Sequence, residues 1–333
     1  SKNAFKQSLP LMPIVNDNKI IIINNNSNVR IYDQYSFENL KEFTLEIEFD
    51  KKNSYISSIG LYEKNLFAAY SDGRIINFDL SGNIKWIVEF KDIIKTPIKF
   101  FNGQLIILLG DKIISINPLN GLINWEFEYL GQNIIQASGG KIVDLNHLLF
   151  FILPNNRIGE IDTIFGEKND LLFTNIDFDK SINNFNDQIY SYLNNISYFD
   201  QKKYLTTIDV SKNIITNDKS IINDVNSFKY FNNALFILND NLTLIAHNIK
   251  NNKIFWKTDI SDYLRKEDVI INATSTDNFL ILFFSNGISL KFNHNNGKIL
   301  SKIDLKIKKI TKIESKLDML FIHQINGNVN LYK

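Results

Sequence analysis

The chain has 333 residues, 44% of them hydrophobic and 22% charged, with a formal net charge of +1. No large electrostatic field therefore exists to draw in nucleic acid or an anionic membrane. The absence of cysteine excludes a disulfide framework and thiolate chemistry, and apolar runs such as Gln104 to Leu109 and Leu148 to Leu153 are strand-sized, too short for a membrane-spanning helix.

At this length a single ordinary core is exceeded, so the chain is either several domains or a repeat array. Asparagine (47 residues) and lysine (33) crowd out alanine (7) and arginine (4), a drift that degrades motifs copy by copy. Repeats must therefore be sought by spacing rather than identity. The chain opens at Ser1 without a charged and apolar leader; any export signal or lipidated cysteine is expected upstream or already removed.

Taken in order, the chain repeats one pattern: a strongly apolar strand, a short turn, and a second strand ending in a polar residue. Lys19 to Ile23 leads to Asn28 to Asp33, Asn65 to Tyr70 to Gly73 to Asp79, and Gln104 to Leu109 to Lys112 to Asn117. His147 to Ile152 precedes Asn156 to Asp162, and Asn195 to Phe199 precedes Lys203 to Asp209. Ala234 to Leu238 pairs with Asn241 to Asn248, Phe279 to Phe284 with Gly287 to Asn293, and Met319 to Ile322 with Gly327 to Lys333. The polar ends recur about every 43 residues, the length of a four-stranded propeller blade.

Blades are expected over roughly 11–47, 54–90, 96–130, 134–176, 186–218, 225–260, 269–305 and 309–333. The last lacks a fourth strand, which residues 3–8 are placed to supply. The expected fold is all-β: one domain, an eight-bladed propeller of four-stranded antiparallel blades, closed by an N-terminal strand. Helical periodicity is nearly absent; only Asp259 to Lys266 suits a helical turn.

A motif marks the outer hairpin of several units. In Asn117 to Trp125 a polar residue, a turn with Gly121 and a tryptophan four residues later follow one another; Asp79 to Trp86 and Asn248 to Trp256 are further copies, the last with Asn252 for glycine. Asn293 to Ser301 keeps Gly297 and loses the tryptophan, and Asp162 to Gly166 keeps the turn alone. Gly and Asn at 82, 121, 166, 252 and 297 suit hairpin positions with positive φ, with Asn39 the first unit's equivalent. The fixed spacing predicts that Trp86, Trp125 and Trp256 wedge between adjacent blades rather than stack on a cofactor.

No catalytic, cofactor-binding or metal-binding residues are assigned. His147, His247, His294 and His323 are scattered one per unit without metal-ligand spacing. Asp33, Asp79, Asp162 and Asp209 recur once per blade, as turn caps do. The run Lys302 to Lys316, with Lys306, Lys308, Lys309 and Lys312, reads as solvated strand faces, the alternative being a nucleic-acid or lipid patch. Gly139 and Gly140 match no phosphate-binding pattern.

The motif at Asp79 to Trp86, Asn117 to Trp125 and Asn248 to Trp256 resembles the pyrroloquinoline-quinone-like repeat, and the resemblance runs through the whole chain. Within that superfamily, a compact eight-unit chain without cysteine most resembles the BamB family of outer-membrane assembly factors. That resemblance implies a non-enzymatic periplasmic scaffold at the outer membrane, lipid-anchored outside this segment. It implies binding to the POTRA domains of the BamA-type β-barrel insertase, no cofactor, and guidance of unfolded outer-membrane proteins by strand addition. In that family a loop entering the fourth blade carries the contact. Here Ile134 and Ile135 keep its apolar character and Gln136 stands where arginine would; alternatively, these isoleucines begin an inner strand. Other readings of the superfamily are a propeller binding another protein partner, or a quinone-dependent dehydrogenase, whose usual vicinal disulfide is impossible here.

Overall fold

The computed structural model describes residues 2–6, 11, 13–24, 27–46, 54–94, 97–109, 112–128, 142–145, 148–152, 158–166, 190–192, 195–199, 205–209, 211–212, 214–218, 225–231, 234–248, 253–275, 278–316, 319–326 and 328–332. Among them every regular element is a strand. They fall into two compact units, one comprising Pro13–Ile221 and the other Ser1–Met12 with Ile222–Lys333. Strand β1 (Lys2–Lys6) belongs to the second.

In the unit Pro13–Ile221, the first sheet is β2 (Ile14–Asn16), β3 (Lys19–Ile23), β4 (Asn28–Asp33) and β5 (Asn39–Thr44). The second is β6 (Ile56–Tyr62), β7 (Asn65–Tyr70), β8 (Arg74–Asp79) and β9 (Ile84–Glu89). The third is β10 (Lys99–Phe101), β11 (Gln104–Leu108), β12 (Lys112–Ile116) and β13 (Ile123–Glu128). A fourth sheet has three described strands, β14 (Ile142–Leu145), β15 (Leu148–Ile152) and β16 (Ile158–Asp162). The fifth is β17 (Tyr190–Tyr192), β18 (Asn195–Phe199), β19 (Leu205–Asp209) and β20 (Ile214–Asp218). Each is an antiparallel meander in sequence order.

The other unit contains β21 (Val225–Phe231), β22 (Ala234–Asn239), β23 (Thr243–Asn248) and β24 (Lys253–Asp259) as one meander. A second is β25 (Ile270–Ser275), β26 (Phe279–Phe284), β27 (Ile288–Asn293) and β28 (Ile299–Asp304). The last sheet joins β29 (Ile310–Lys316), β30 (Met319–Gln324) and β31 (Asn328–Tyr332) to β1, which pairs antiparallel with β31.

Burial follows strand rank. All six residues of β7 are buried, whereas β9 and β13 alternate between exposed and half-buried positions. A second strand covered on both faces needs continuous apolar sequence; an outer strand needs only one apolar face. Phe67 and Ile75 of the second sheet thus share a core with Leu105, Ile107 and Ile114 of the third. In the other unit Phe236, Leu244, Leu282 and Phe292 do the same between consecutive sheets.

Two local expectations change. Residues 259–266 form no helix: Tyr263 N bonds Ile260 O, and Asp268 N bonds Arg265 O, giving two separate four-residue turns with Leu264 between them in the core. In the first sheet positive φ falls at Phe37 (59°), not Asn39. The turn is counted from Asp33, whose carbonyl accepts Phe37 N as Asn117 O accepts Gly121 N, so position 37 must take the left-handed conformation.

Tyr70 gives a pH prediction. Its side chain is fully buried and its hydroxyl shares a 2.8 Å hydrogen bond with Ser27 Oγ. Burial pushes its pKa from 10 up to about 12, opposed by the Ser27 bond. The folded state therefore holds this proton more tightly than the unfolded chain does. The stabilisation is complete below pH 10 and is lost as pH rises from 10 toward 12, amounting to about 2–3 kcal/mol. Urea midpoints measured across that window should fall less steeply in Tyr70→Phe than in the parent; equal slopes would refute the assignment.

Candidate functional site

The outer hairpins share one construction. Pairing runs from Ser115 with Trp125 to Ile116 with Ile123, from Asn77 with Trp86 to Phe78 with Ile84, and from Ala246 with Trp256 to His247 with Ile254. Each skips one outer residue, a bulge that increases local twist and re-aims the neighbouring side chain. The re-aimed side chain in all three is the tryptophan.

Each tryptophan meets the turn of the following sheet. Trp86 Nε1 donates to Pro118 O at 3.1 Å, and a Cβ built on Gly121 would lie 2.9 Å from Trp86 Cδ2. Trp125 Nε1 donates to Thr163 O at 3.0 Å, with Gly166 against its ring, and Trp256 Nε1 donates to His294 O at 2.9 Å, with Gly297 against its ring. The glycine in each motif therefore serves the preceding tryptophan, not its own. Gly121, Gly166 and Gly297 also have φ of 77°, 70° and 70°, so conformation and space both require glycine.

A fourth joint escaped the motif. Lys41 occupies the bulge-flanking position of the first sheet, pairing with Ile31 before the register skips to Tyr32 with Asn39. Its Nζ donates to Ser81 O at 3.3 Å, while Phe43 packs on Gly82. The donor and the ring of an indole are here divided between two side chains. A sequence signal existed: Lys41 lies eight residues after Asp33, as Trp125 lies eight after Asn117 and Trp256 eight after Asn248.

Further bonds hold two of these turns. Pro118 O also accepts Asn77 Nδ2 at 2.9 Å, and Thr163 O also accepts Gln104 Nε2 at 3.0 Å. Within the turns, Asn117 Oδ1 accepts Leu119 N and Asp162 Oδ1 accepts Ile164 N. These fixed turns present Leu119 (59% exposed), Leu122 (66%), Ile164 (62%) and Phe165 (68%) to solvent, with Ile123 beside them. The equivalent turn of the other unit, His294 to Gly297, offers Asn295 and Asn296 instead. Consecutive rigid turns bearing apolar tips form the feature most suited to contacting a partner, because the unbound protein has already met the ordering cost.

The remaining candidates do not converge. Asp33, Asp79, Asp162 and Asp209 each accept backbone amides of their own turn. Burial alone would raise the Asp79 carboxyl, but donors from Asn83 and Ser81 outweigh it and lower its pKa. Lys212 and Ser211 draw Asp209 down to about 2. His247 and His323 are buried in β23 and β30, and His294 sits on a turn. Among the described residues no group of three His, Asp or Glu side chains could hold a metal ion. The lysine run divides: Lys302 and Lys312 lie on β28 and β29, but Lys306, Lys308 and Lys309 lie on the loop between them, not on strand faces. Ile134, Ile135, Gln136, His147, Gly139, Gly140 and Asn252 lie outside the described residues.

No family model and no curated protein matches the chain by sequence. Solved structures match its fold. BamB from Moraxella catarrhalis aligns with a TM-score of 0.71 at 14% identity, covering 99% of this chain and 98% of that one. The computationally designed Ika8 protein aligns with the same TM-score at 11% identity, covering 98% and 96%. A designed protein fits as well as a natural one, so the likeness speaks to architecture and not to activity. The likeness shows the fold alone: this chain has a β-propeller fold similar to that of BamB.

Proposed function

We propose that the chain is a non-enzymatic scaffold at the periplasmic face of the outer membrane, binding the POTRA domains of a β-barrel insertase and assisting outer-membrane protein assembly. The observation that carries the interaction role is the set of apolar tips Leu119, Leu122, Ile164 and Phe165 on indole-clamped turns. The repeat resemblance and the full-length likeness to BamB support the choice of partner. The proposal includes eight blades in one closed ring; pairing of N-terminal β1 with C-terminal β31 supports closure.

Calorimetric titration with POTRA domains from the same organism tests the reading. Saturable binding is expected in the parent, and a loss of about tenfold or more in Leu122→Asp/Phe165→Asp, because a charge at an apolar contact centre must be desolvated. Ile135→Asp reports separately on the loop implied by the family resemblance. A folded parent that does not bind would overturn the partner assignment. A chain lacking residues 1–9 should unfold at a clearly lower temperature; an unchanged midpoint would count against closure.

A further inference from the structure

The tryptophan joint has no counterpart between the sheet β25–β28 and the last sheet, built from β29, β30, β31 and β1. Ser301 holds the tryptophan position, pairing with Lys291 before the register skips to Phe292 with Ile299. It is exposed, whereas Trp256 one sheet earlier is buried. Nor does the last sheet offer a turn to receive an indole. Its outer strands β31 and β1 come from opposite ends of the sequence, while every other strand pair among the described residues joins sequence neighbours. The joint is instead reversed: Tyr332 of β31 donates its hydroxyl to Leu305 O, just past β28, at 3.1 Å, and remains half-buried.

Neither a hairpin nor an indole clamp therefore fastens β1. Lys2 faces Leu331, Asn3 faces Asn330 and Lys6 faces Asn328, with the register slipping between Asn3 and Lys6. The inner pair of the same sheet runs much further, from Ile310 with Gln324 to Lys316 with Met319. A short, irregular ladder thus holds a strand whose covalent tether is residues 7–13, and that tether carries Pro10 and Pro13. Proline disfavours compact backbone at the residue before it, so such a connection suits an extended path.

We propose that β1 is an exchangeable strand and that a second copy of this chain supplies it: β1 of each copy pairs with β31 of the other in a closed two-fold exchange. The pairs so formed are those already made within one chain, so exchange sacrifices only the tether. The tether sets the condition. A short connection gives its strand an effective concentration of about 1 mM, so exchange competes when the chain itself approaches that range and is negligible far below it. The exchanged pair carries two sets of the tips Leu119, Leu122, Ile164 and Phe165; that consequence alone rests on the function proposed above.

The chain contains no cysteine, so Lys6→Cys/Asn328→Cys introduces its only thiols. Facing residues of an antiparallel pair stand about 5 Å apart, within disulfide reach. Oxidised at about 10 µM, this variant should give a monomer linked between positions 6 and 328; held at about 1 mM before oxidation, it should also give dimers with the same link between copies. Non-reducing gels and peptide mapping read both. A mixture of Lys6→Cys and Asn328→Cys single variants isolates the link between copies, because neither can form it alone. Lys253→Cys, exposed on β24, mixed with Asn328→Cys measures chance collision. The proposal is overturned if the first mixture links no more than the second at about 1 mM, or if a chain lacking residues 1–9 dimerises as much as the parent in light scattering. A double variant that forms no link as a dilute monomer would refute the β1–β31 pairing, and the exchange with it. None of these readouts involves the insertase, so they stand apart from the binding test above.

Discussion

Replacing Trp256 with alanine should destabilise the protein by about 3–5 kcal/mol, the cost of removing a large, well-packed core side chain. Trp256 is 7% exposed, stacked on Phe292 at 5.8 Å between centroids and tilted against Phe236 at 6.1 Å. Alanine would leave a cavity between two sheets and withdraw the donor from His294 O. Trp256→Phe separates these contributions. It keeps most of the ring and loses the 2.9 Å bond, so its cost should be smaller, about 1–3 kcal/mol. Urea midpoints followed by far-ultraviolet circular dichroism measure both. A Trp256→Ala loss under about 1 kcal/mol would show that the joint contributes little to stability.

Gly287→Ala should cost about 3 kcal/mol or more, although it adds one methyl group. Gly287 has φ of 90°, and a Cβ there would lie 1.7 Å from Ile307 O and 2.9 Å from Ile307 C. The left-handed conformation alone costs about 1–2 kcal/mol for a residue with a side chain. The obstruction is backbone and cannot rotate aside, so the 305–309 loop must move and strain its bonds to Gly287 O and Ser285 O. Gly103→Ala is the natural comparison: its φ is 72°, but its nearest obstruction is Tyr62 Oη at 3.5 Å. The two substitutions share the conformational cost and differ in the collision. Equal losses in thermal midpoint would show that the close approach at Ile307 is without energetic consequence.

The strands were legible because burial differs by strand rank. Asn65 to Tyr70 is apolar on both faces and reads as a covered strand between turn signals; Trp125 to Glu128 alternates and reads as an outer one. The tryptophan joints were half legible. Spacing marked the side chain, but its acceptor lies one repeat away, at Pro118, Thr163 or His294, and nothing local signals a partner at that distance. Lys41 with Phe43 was hidden because two side chains share what one indole does elsewhere. The apolar tips left a fainter signal. Leu119, Leu122, Ile164 and Phe165 stand in turns, where polar residues usually satisfy the backbone; apolar residues there mark a surface held for another purpose. At Asp259 to Lys266 helix-forming composition misled: two tight turns stand there, with Leu264 between them in the core.

The inter-sheet joints also bear on how such a chain can descend from its ancestors. Each joint takes its aromatic from one repeat and its glycine from the next, so the selectable unit straddles the boundary between copies. A duplication or loss of one repeat leaves every joint whole only while all copies carry interchangeable halves. Once Lys41 and Phe43 share the indole's work against an unchanged Gly82, and Ser301 stands where a tryptophan would, the halves have become individual. From then on a repeat can neither be copied nor discarded without leaving a mismatched neighbour, and drift in sequence fixes the number of repeats.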